Sequence, residues 1–189
     1  MKHVYMMRHG ETVDNQNGII QGQEDSSLTE NGIVSVQNMA QTVQSMVFDA
    51  VFCSPLGRAR RSLEIVAGEI DLKTTVEYVD DIKELDFGTL TKKSFSEVED
   101  IITHHKQNSD LPYLRGESGD MFKSRVLNFM EERILGSDSK NFFIVTHFGV
   151  LETILRHYAK LDYRRTDDSW NAVVQLCFNE KGVKYRWIR

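Results

Sequence analysis

Two histidines and two arginines carry the chemistry this sequence could do, and each falls where an apolar run breaks. His3-Val4-Tyr5-Met6-Met7 runs into Arg8-His9-Gly10-Glu11-Thr12. Cys53 closes a second apolar run before Ser54-Pro55, with Arg58 one turn further on, and residues 141–146 deliver His147. Such runs suit buried strands of a parallel sheet. If the strands are parallel, all three exits lie on one sheet edge, where the ligand crevices of open α/β sheets are found. The cations gathered there repel one another and call for an anion with two charges, and a phosphoryl group matches. Arginine forks bind phosphate oxygens bidentately, and backbone N–H groups beside Gly10 can approach closely. Taken singly, each residue has a plainer reading as a core histidine, a surface arginine or an ordinary strand-to-loop exit. A metal site from His9, Glu11 and His147 is disfavoured, because no ligand pair has helical spacing and adjacent arginines repel a cation.

The elements that must position these groups can be read from patterning. Residues 13–27, with Gly18 and Gly22, lack periodicity and read as a long surface loop of the kind that carries function. A helix follows from residue 28, with Ile33, Val36, Ala40, Val43 and Val47 as its apolar stripe. Residues 47–53 read as a strand. Pro55 suits the start of the next helix, which carries Leu63, Val66, Ala67 and Ile70. Residues 75–79 are a short strand and 82–90 a loop. Ser94-Phe95-Ser96-Glu97 is a capping-box pattern opening a helix with Val98, Ile101 and Ile102 inward. Residues 110–119 are a loop, and Ser118 caps a helix with Phe122, Val126, Phe129, Met130 and Ile134 inward. The strand at 141–146 precedes a helix over 149–161. Strands at 172–178 and 183–188 flank a hairpin turn of about four residues. Strands alternating with helices predict an α/β fold with a mostly parallel central sheet flanked by helices.

Composition narrows the function classes. The 189 residues are 40% hydrophobic and 27% charged, ordinary values for one globular domain with a sizeable core. A net charge of −5, without a dense Lys/Arg stripe, gives no footprint for nucleic acid. No long apolar segment precedes Arg8, so neither a signal peptide nor a membrane span is expected. Cys53 and Cys177 read as buried thiols of a reducing compartment, and the cytoplasm is the expected location.

The motif blocks resemble those of the histidine phosphatase superfamily, which includes the phosphoglycerate mutases. The first block is Arg8-His9-Gly10-Glu11-Thr12 with Asn15, Gln21-Gly22, Asp25, Leu28-Thr29 and Gly32. Then come Ser54-Pro55-Leu56-Gly57-Arg58-Ala59 with Ser62, Glu84-Leu85-Asp86-Phe87-Gly88, Gly116-Glu117-Ser118, and Val145-Thr146-His147 with Gly149. The blocks span nearly the whole chain in the family's order. The resemblance implies one domain over residues 1–189, a three-layer sandwich like that of the phosphoglycerate mutases. It makes His9 the nucleophile that becomes a phosphohistidine. Arg8, Arg58 and His147 become the phosphate clamp, with Asn15 as a neutral donor. Glu84 becomes the acid, later the base, and needs a carboxyl that is protonated in the first step. Glu11 and Glu117 are expected to orient arginine or backbone. Gln21, Gly22 and Phe148 complete the implied substrate-binding set, and no metal or cofactor is implied.

Departures from the family pattern bear on specificity. The similar mutases have arginine where Ile19 stands, and an Arg-His-Tyr-Gly block where this chain has Leu85-Asp86-Phe87-Gly88. Leu-Asp-Phe-Gly is similar to the phosphatase branch, including α-ribazole phosphatases and broad-specificity phosphatases. That branch commonly has Trp-Glu-Gly after Gly88, where Leu90-Thr91-Lys92 stand here, and glycine in place of Phe148. The expected activity is hydrolysis of a small phosphorylated metabolite. The alternatives are a cofactor-dependent phosphoglycerate mutase and a catalytically silent phospho-ligand-binding module. Ile19, Gln21, Leu90, residues 108–114 and Phe148 are expected to shape the leaving-group side.

Overall fold

The computed structural model describes residues 1–161, 163 and 171–189. Its centre is a six-stranded sheet formed by β1 (Lys2–Arg8), β2 (Ala50–Cys53), β3 (Val76–Tyr78), β4 (Asn141–Thr146), β5 (Val173–Asn179) and β6 (Gly182–Ile188). The strand order is β3-β2-β4-β1-β5-β6. β3, β2, β4 and β1 are parallel, while β5 and β6 form an antiparallel hairpin added beside β1. The sheet is thus mostly parallel and flanked by helices, as the patterning predicts.

Both faces of the sheet are covered. On one face α2 (Glu30–Val43) and α3 (Gly57–Glu69) pack through Val36, Met39, Ala40, Leu63 and Val66 onto Met7, Val51, Phe143 and Val145. On the other, α5 (Gly119–Phe129) and α6 (Phe148–Ala159) pack through Phe122, Val126, Leu151 and Ile154 onto Met6, Phe52, Phe142 and Ile144. Consecutive residues Met6 and Met7 therefore serve opposite faces, as the two-residue strand period requires. A separate small core of Ile20, Leu90, Val98, Ile102 and Tyr113 lies under α4 (Phe95–Gln107).

Register explains why three distant sequence segments meet. Arg8 pairs with Thr146 across β1 and β4, and Cys53 pairs with Val145 across β2 and β4. The next residues, His9, Ser54 and His147, consequently leave the sheet side by side at its carboxyl edge. That confirms the shared edge expected from the sequence.

Local signals hold at several helix starts. Ser94 and Glu97 form the capping box of α4, and Ser118 Oγ accepts the Met121 N–H at the start of α5. A cap of this kind is worth about 1 kcal/mol. Other boundaries move. Residues 13–27 are not all loop: α1 (Val13–Gln16) is one turn closed by a capping box between Thr12 and Asn15. One polar turn has no apolar stripe to reveal it. Val47 lies beyond the end of α2 and is exposed, and Met39 takes the core place instead. The helix at the second histidine starts at Phe148 and ends at Ala159, where Lys160 turns left-handed. Pairing of Asn179 with Gly182 leaves a two-residue turn, Glu180-Lys181, instead of four. Gly182, at φ +116°, supplies the backbone freedom that such a tight turn needs.

Candidate active site

Arg8, His9, Arg58 and His147 are each at most 5% exposed. Four nitrogenous side chains buried in one place demand hydrogen bonds that fix their roles. His9 Nδ1 lies 2.8 Å from the Gly10 carbonyl, which can only accept, so Nδ1 carries the proton. Nε2 is left with its lone pair and receives a hydrogen bond from Arg58 Nε at 3.2 Å. The two histidine rings sit 5.2 Å apart between centroids. His147 Nε2 pairs with Ser54 Oγ at 2.7 Å, and Ser54 Oγ accepts from the Leu56 N–H. Nδ1 of His147 is buried with no protein partner among the described residues.

The arginines are anchored by the first loop. Arg58 donates from Nη1 to the Glu24 carbonyl (2.7 Å) and from Nη2 to the Gly22 carbonyl (2.6 Å). Gly22, at φ +52°, turns the chain so that this carbonyl is presented. Asp25 accepts the N–H groups of Gly57 and Arg58 at the start of α3 and pairs with Arg58 at 3.5 Å. An Arg has five N–H groups; on Arg58 three are used on His9, Glu24 and Gly22, Nη1 also faces Asp25, and one N–H of Nη2 has no such partner among the described residues. Arg8 Nη2 donates to Asn15 Oδ1, which also accepts the Thr12 N–H. Since Oδ1 is taken twice, the amide NH₂ of Asn15 is the end left to donate. Gln21 Oε1 accepts from the Thr12 hydroxyl and holds the same turn.

Gly10 has a different purpose from the one expected. Its N–H donates to Ser62 Oγ, and the N–H of His9 donates to the Thr146 carbonyl. Neither is available to a ligand. A Cβ at Gly10 would meet the Gly32 carbonyl at 2.6 Å, so the missing side chain lets α2 press its first turn against the loop that carries His9. Glu11 supports that turn by accepting from the Thr29 hydroxyl at 2.7 Å.

Glu84 sits half-buried at the start of α6. Oε2 accepts the Gly149 N–H (3.2 Å) and Oε1 the Leu85 N–H (3.0 Å). A Cβ at Gly149 would come within 2.4 Å of Oε1, which makes glycine the residue that admits this carboxyl. The chain around Glu84 is held by Arg125, which the sequence reading did not single out. All five of its N–H groups are used: on both Glu117 oxygens and on the carbonyls of Asp81, Lys83 and Glu84. Glu117 also accepts the Asp86 N–H, so it orients both an arginine and backbone, as expected. Arg125 follows Ser118 on an ordinary helix, and nothing local in the sequence marks it. Gln23 adds a further bond to the Glu84 carbonyl.

Several residues expected on the leaving-group side are absorbed by packing. Leu90 joins the small core under α4. Ile19 forms a backbone bridge with Ser94, and Lys92 Nζ ties Asp14 Oδ2 (2.6 Å) to the Asp25 carbonyl (2.9 Å). The half-buried Phe148 ring stacks on Tyr163, which stacks in turn on Trp187. Burial pushes the Cys53 thiol up to about 12, so it is inert beside Ser54.

Electrostatics favour neutral imidazoles. Burial, then Arg8 and Arg58, hold His9 well below the usual histidine value of 6.5. Burial, then Arg58, His9 and Arg8, do the same for His147. Both raise the cost of acidification. Below about pH 6.5 the unfolded chain takes up protons that these folded histidines refuse, so stability falls as pH falls. The slope reaches about 1.4 kcal/mol per pH unit for each histidine and flattens above pH ~6.5. Urea unfolding between pH 7.5 and 5 is expected to show this, with a shallower slope in His9→Ala. Equal slopes in the two proteins would exclude His9 as a source.

Comparisons with known proteins agree with this geometry. A probable phosphatase of Schizosaccharomyces pombe is 31% identical over 159 residues, covering 82% of this chain and 72% of that one. A probable phosphoglycerate mutase of Erwinia tasmaniensis is 32% identical, covering 82% and 75%. The crystal structure of the alpha-ribazole phosphatase from Shigella flexneri superimposes with a TM-score of 0.80 at 25% identity, covering 98% of this chain and 95% of that one. The family model for histidine phosphatase superfamily branch 1 matches residues 4–186, and the chain belongs to that superfamily.

Proposed function

We propose that this chain hydrolyses small phosphomonoesters through a phosphohistidine on Nε2 of His9, within one catalytic domain. The observation that carries the reading is the Nδ1–H bond to the Gly10 carbonyl, which leaves the Nε2 lone pair among Arg8, Arg58 and His147. A neutral imidazole held in that tautomer is ready to attack without first losing a proton.

The steps follow from the groups present. Nε2 attacks phosphorus as the bond from phosphorus to the leaving oxygen breaks, and the protonated Glu84 carboxyl gives that oxygen its proton. Water then attacks the phosphohistidine and passes a proton to Glu84. The N–P bond breaks, inorganic phosphate leaves, and His9 and the protonated Glu84 are restored. The remaining Arg58 donor, Arg8 and the Asn15 NH₂ stabilise charge on the equatorial oxygens. If Leu56 N–H donates to Ser54 and Ser54 donates to His147 Nε2, then His147 Nδ1–H becomes a further donor. Arg58 Nε must release the His9 lone pair as attack begins, and the phosphoryl oxygens are suitable new acceptors.

These guanidinium and imidazole donors supply the charge stabilisation that a metal could otherwise provide, so activity is expected to survive chelation. A panel of phosphorylated metabolites, assayed with and without EDTA, tests this. Failure to hydrolyse any phosphomonoester, or loss of activity with EDTA, would overturn the corresponding part of the reading. The likeness to a probable mutase favours one competitor, which a transfer assay stimulated by 2,3-bisphosphoglycerate would reveal.

A further inference from the structure

The backbone that leads up to the Glu84 carboxyl is held by side chains at every carbonyl from residue 81 to residue 84. Arg125 Nη1 donates to the carbonyls of Asp81 (2.7 Å) and Lys83 (2.8 Å), and Nη2 to that of Glu84 (3.0 Å). The Thr146 hydroxyl, one residue before His147, donates to the Ile82 carbonyl at 2.8 Å. Gln23 Nε2 is a second donor to the Glu84 carbonyl, at 3.2 Å. Carbonyls of a loop can be satisfied by water, so a run of them held by protein marks a segment whose position is enforced.

Arg125 is itself immobile. Nε and Nη2 bind the two oxygens of Glu117 at 3.0 and 2.6 Å, and the guanidinium lies over the Phe122 ring, 4.7 Å from its centroid. All five N–H groups are thereby used, and none is left for substrate or for the clamp. A planar fork can span Glu117 and three carbonyls at once, whereas a lysine ammonium has three donors and no plane.

The Glu84 carboxyl depends on this support. Among the described residues its oxygens bond only to backbone, the N–H groups of Leu85 and Gly149. Its reach toward a phosphoryl group on His9 is therefore set by where residues 81–84 lie. Phe122 carries the guanidinium and also adjoins the carboxyl: a Cβ at Gly149 would meet Phe122 Cζ at 3.2 Å and Glu84 Oε1 at 2.4 Å.

We infer that Arg125 is a positioning residue for proton transfer, which sets the distance from the Glu84 carboxyl to the leaving oxygen by holding residues 81–84. The inference rests on the phosphomonoester-hydrolase reading, in which Glu84 protonates that oxygen, and adds the residue that fixes the geometry of the transfer. A displacement of about 1 Å can cost on the order of 10²-fold.

Arg125→Lys keeps the charge and loses the fork. Its turnover of glycerol 3-phosphate, whose alkoxide needs a proton, is expected to fall roughly 10- to 100-fold. Its burst of p-nitrophenol from p-nitrophenyl phosphate should keep the wild-type rate, because that leaving group departs without a proton. A merely weakened fold would lower both alike. In a Glu84→Gln background Arg125→Lys should cost nothing further on glycerol 3-phosphate, since the two residues act as one unit. Glu117→Gln loosens the grip on the guanidinium and should show the same split at smaller size, which also answers the question if Arg125→Lys does not fold. Equal losses on the two esters, a loss undiminished in the Glu84→Gln background, or wild-type turnover of glycerol 3-phosphate by the variants would overturn the inference. With a phosphohistidine trapped in the wild type, those results overturn this inference alone; its absence would overturn the hydrolase reading and this inference with it.

Discussion

Replacing His9 with alanine is expected to abolish turnover of every phosphomonoester that the wild type accepts, by at least roughly 10⁴-fold. The other donors would remain, because Arg58 keeps its bonds to the Gly22 and Glu24 carbonyls and Arg8 keeps Asn15. Phosphate binding should therefore persist while the covalent step is lost. Rapid acid-free quenching of the wild type with labelled substrate should trap a phosphoramidate, stable in base and labile in acid, that the variant lacks. The substitution should not unfold the protein. It removes a buried imidazole whose main structural bond is to the neighbouring Gly10 carbonyl. Residual turnover within tenfold of wild type, or a phosphoryl group trapped elsewhere, would show that Nε2 of His9 is not the nucleophile.

Glu84→Gln should divide substrates by their leaving groups. An alkoxide needs a proton as it departs, whereas p-nitrophenolate leaves readily without one. General acid catalysis contributes about 10²–10⁴-fold, so hydrolysis of alkyl phosphates should fall by that range. The first step with p-nitrophenyl phosphate should change far less. Glutamine can keep one oxygen for a backbone donor, but the other position becomes an amide nitrogen facing the Leu85 or Gly149 N–H. Burst kinetics with the aryl substrate then separate the roles: phosphorylation remains, and the water step that needs the base is slowed. Equal losses on alkyl and aryl substrates, without a burst, would remove Glu84 from proton transfer and leave it a structural part of the α6 start.

Both predictions concern residues that are legible in the sequence. The strand exits at Met7, Cys53 and Thr146 could be read because buried parallel strands are apolar on both faces, so a sudden polar residue marks their ends. Arg58 and His147 follow two of those exits, whereas Glu84 was legible only through family likeness, since nothing in the local pattern assigns a carboxylate at residue 84 to a histidine at residue 9. Arg125 was not legible at all. Its five bonds reach Glu117 and three carbonyls at residues 81–84, and only the packing of α5 against that segment brings them together.

By itself the sequence determined the α/β class, the shared sheet edge, and the residue types that gather there. These follow from short-range rules: strand alternation, helical stripes and caps act within a few residues, and the parallel order follows from alternating strands and helices. Tertiary structure decided what each group has left to offer. It spends the Gly10 N–H on Ser62, three of the Arg58 donors on His9 and the first loop, and Leu90 and Lys92 on packing and a loop tie. It leaves the Nε2 lone pair of His9 among Arg8, Arg58 and His147. A hydrogen bond between residues 49 positions apart depends on strand register and helix docking together, and no local pattern encodes that distance.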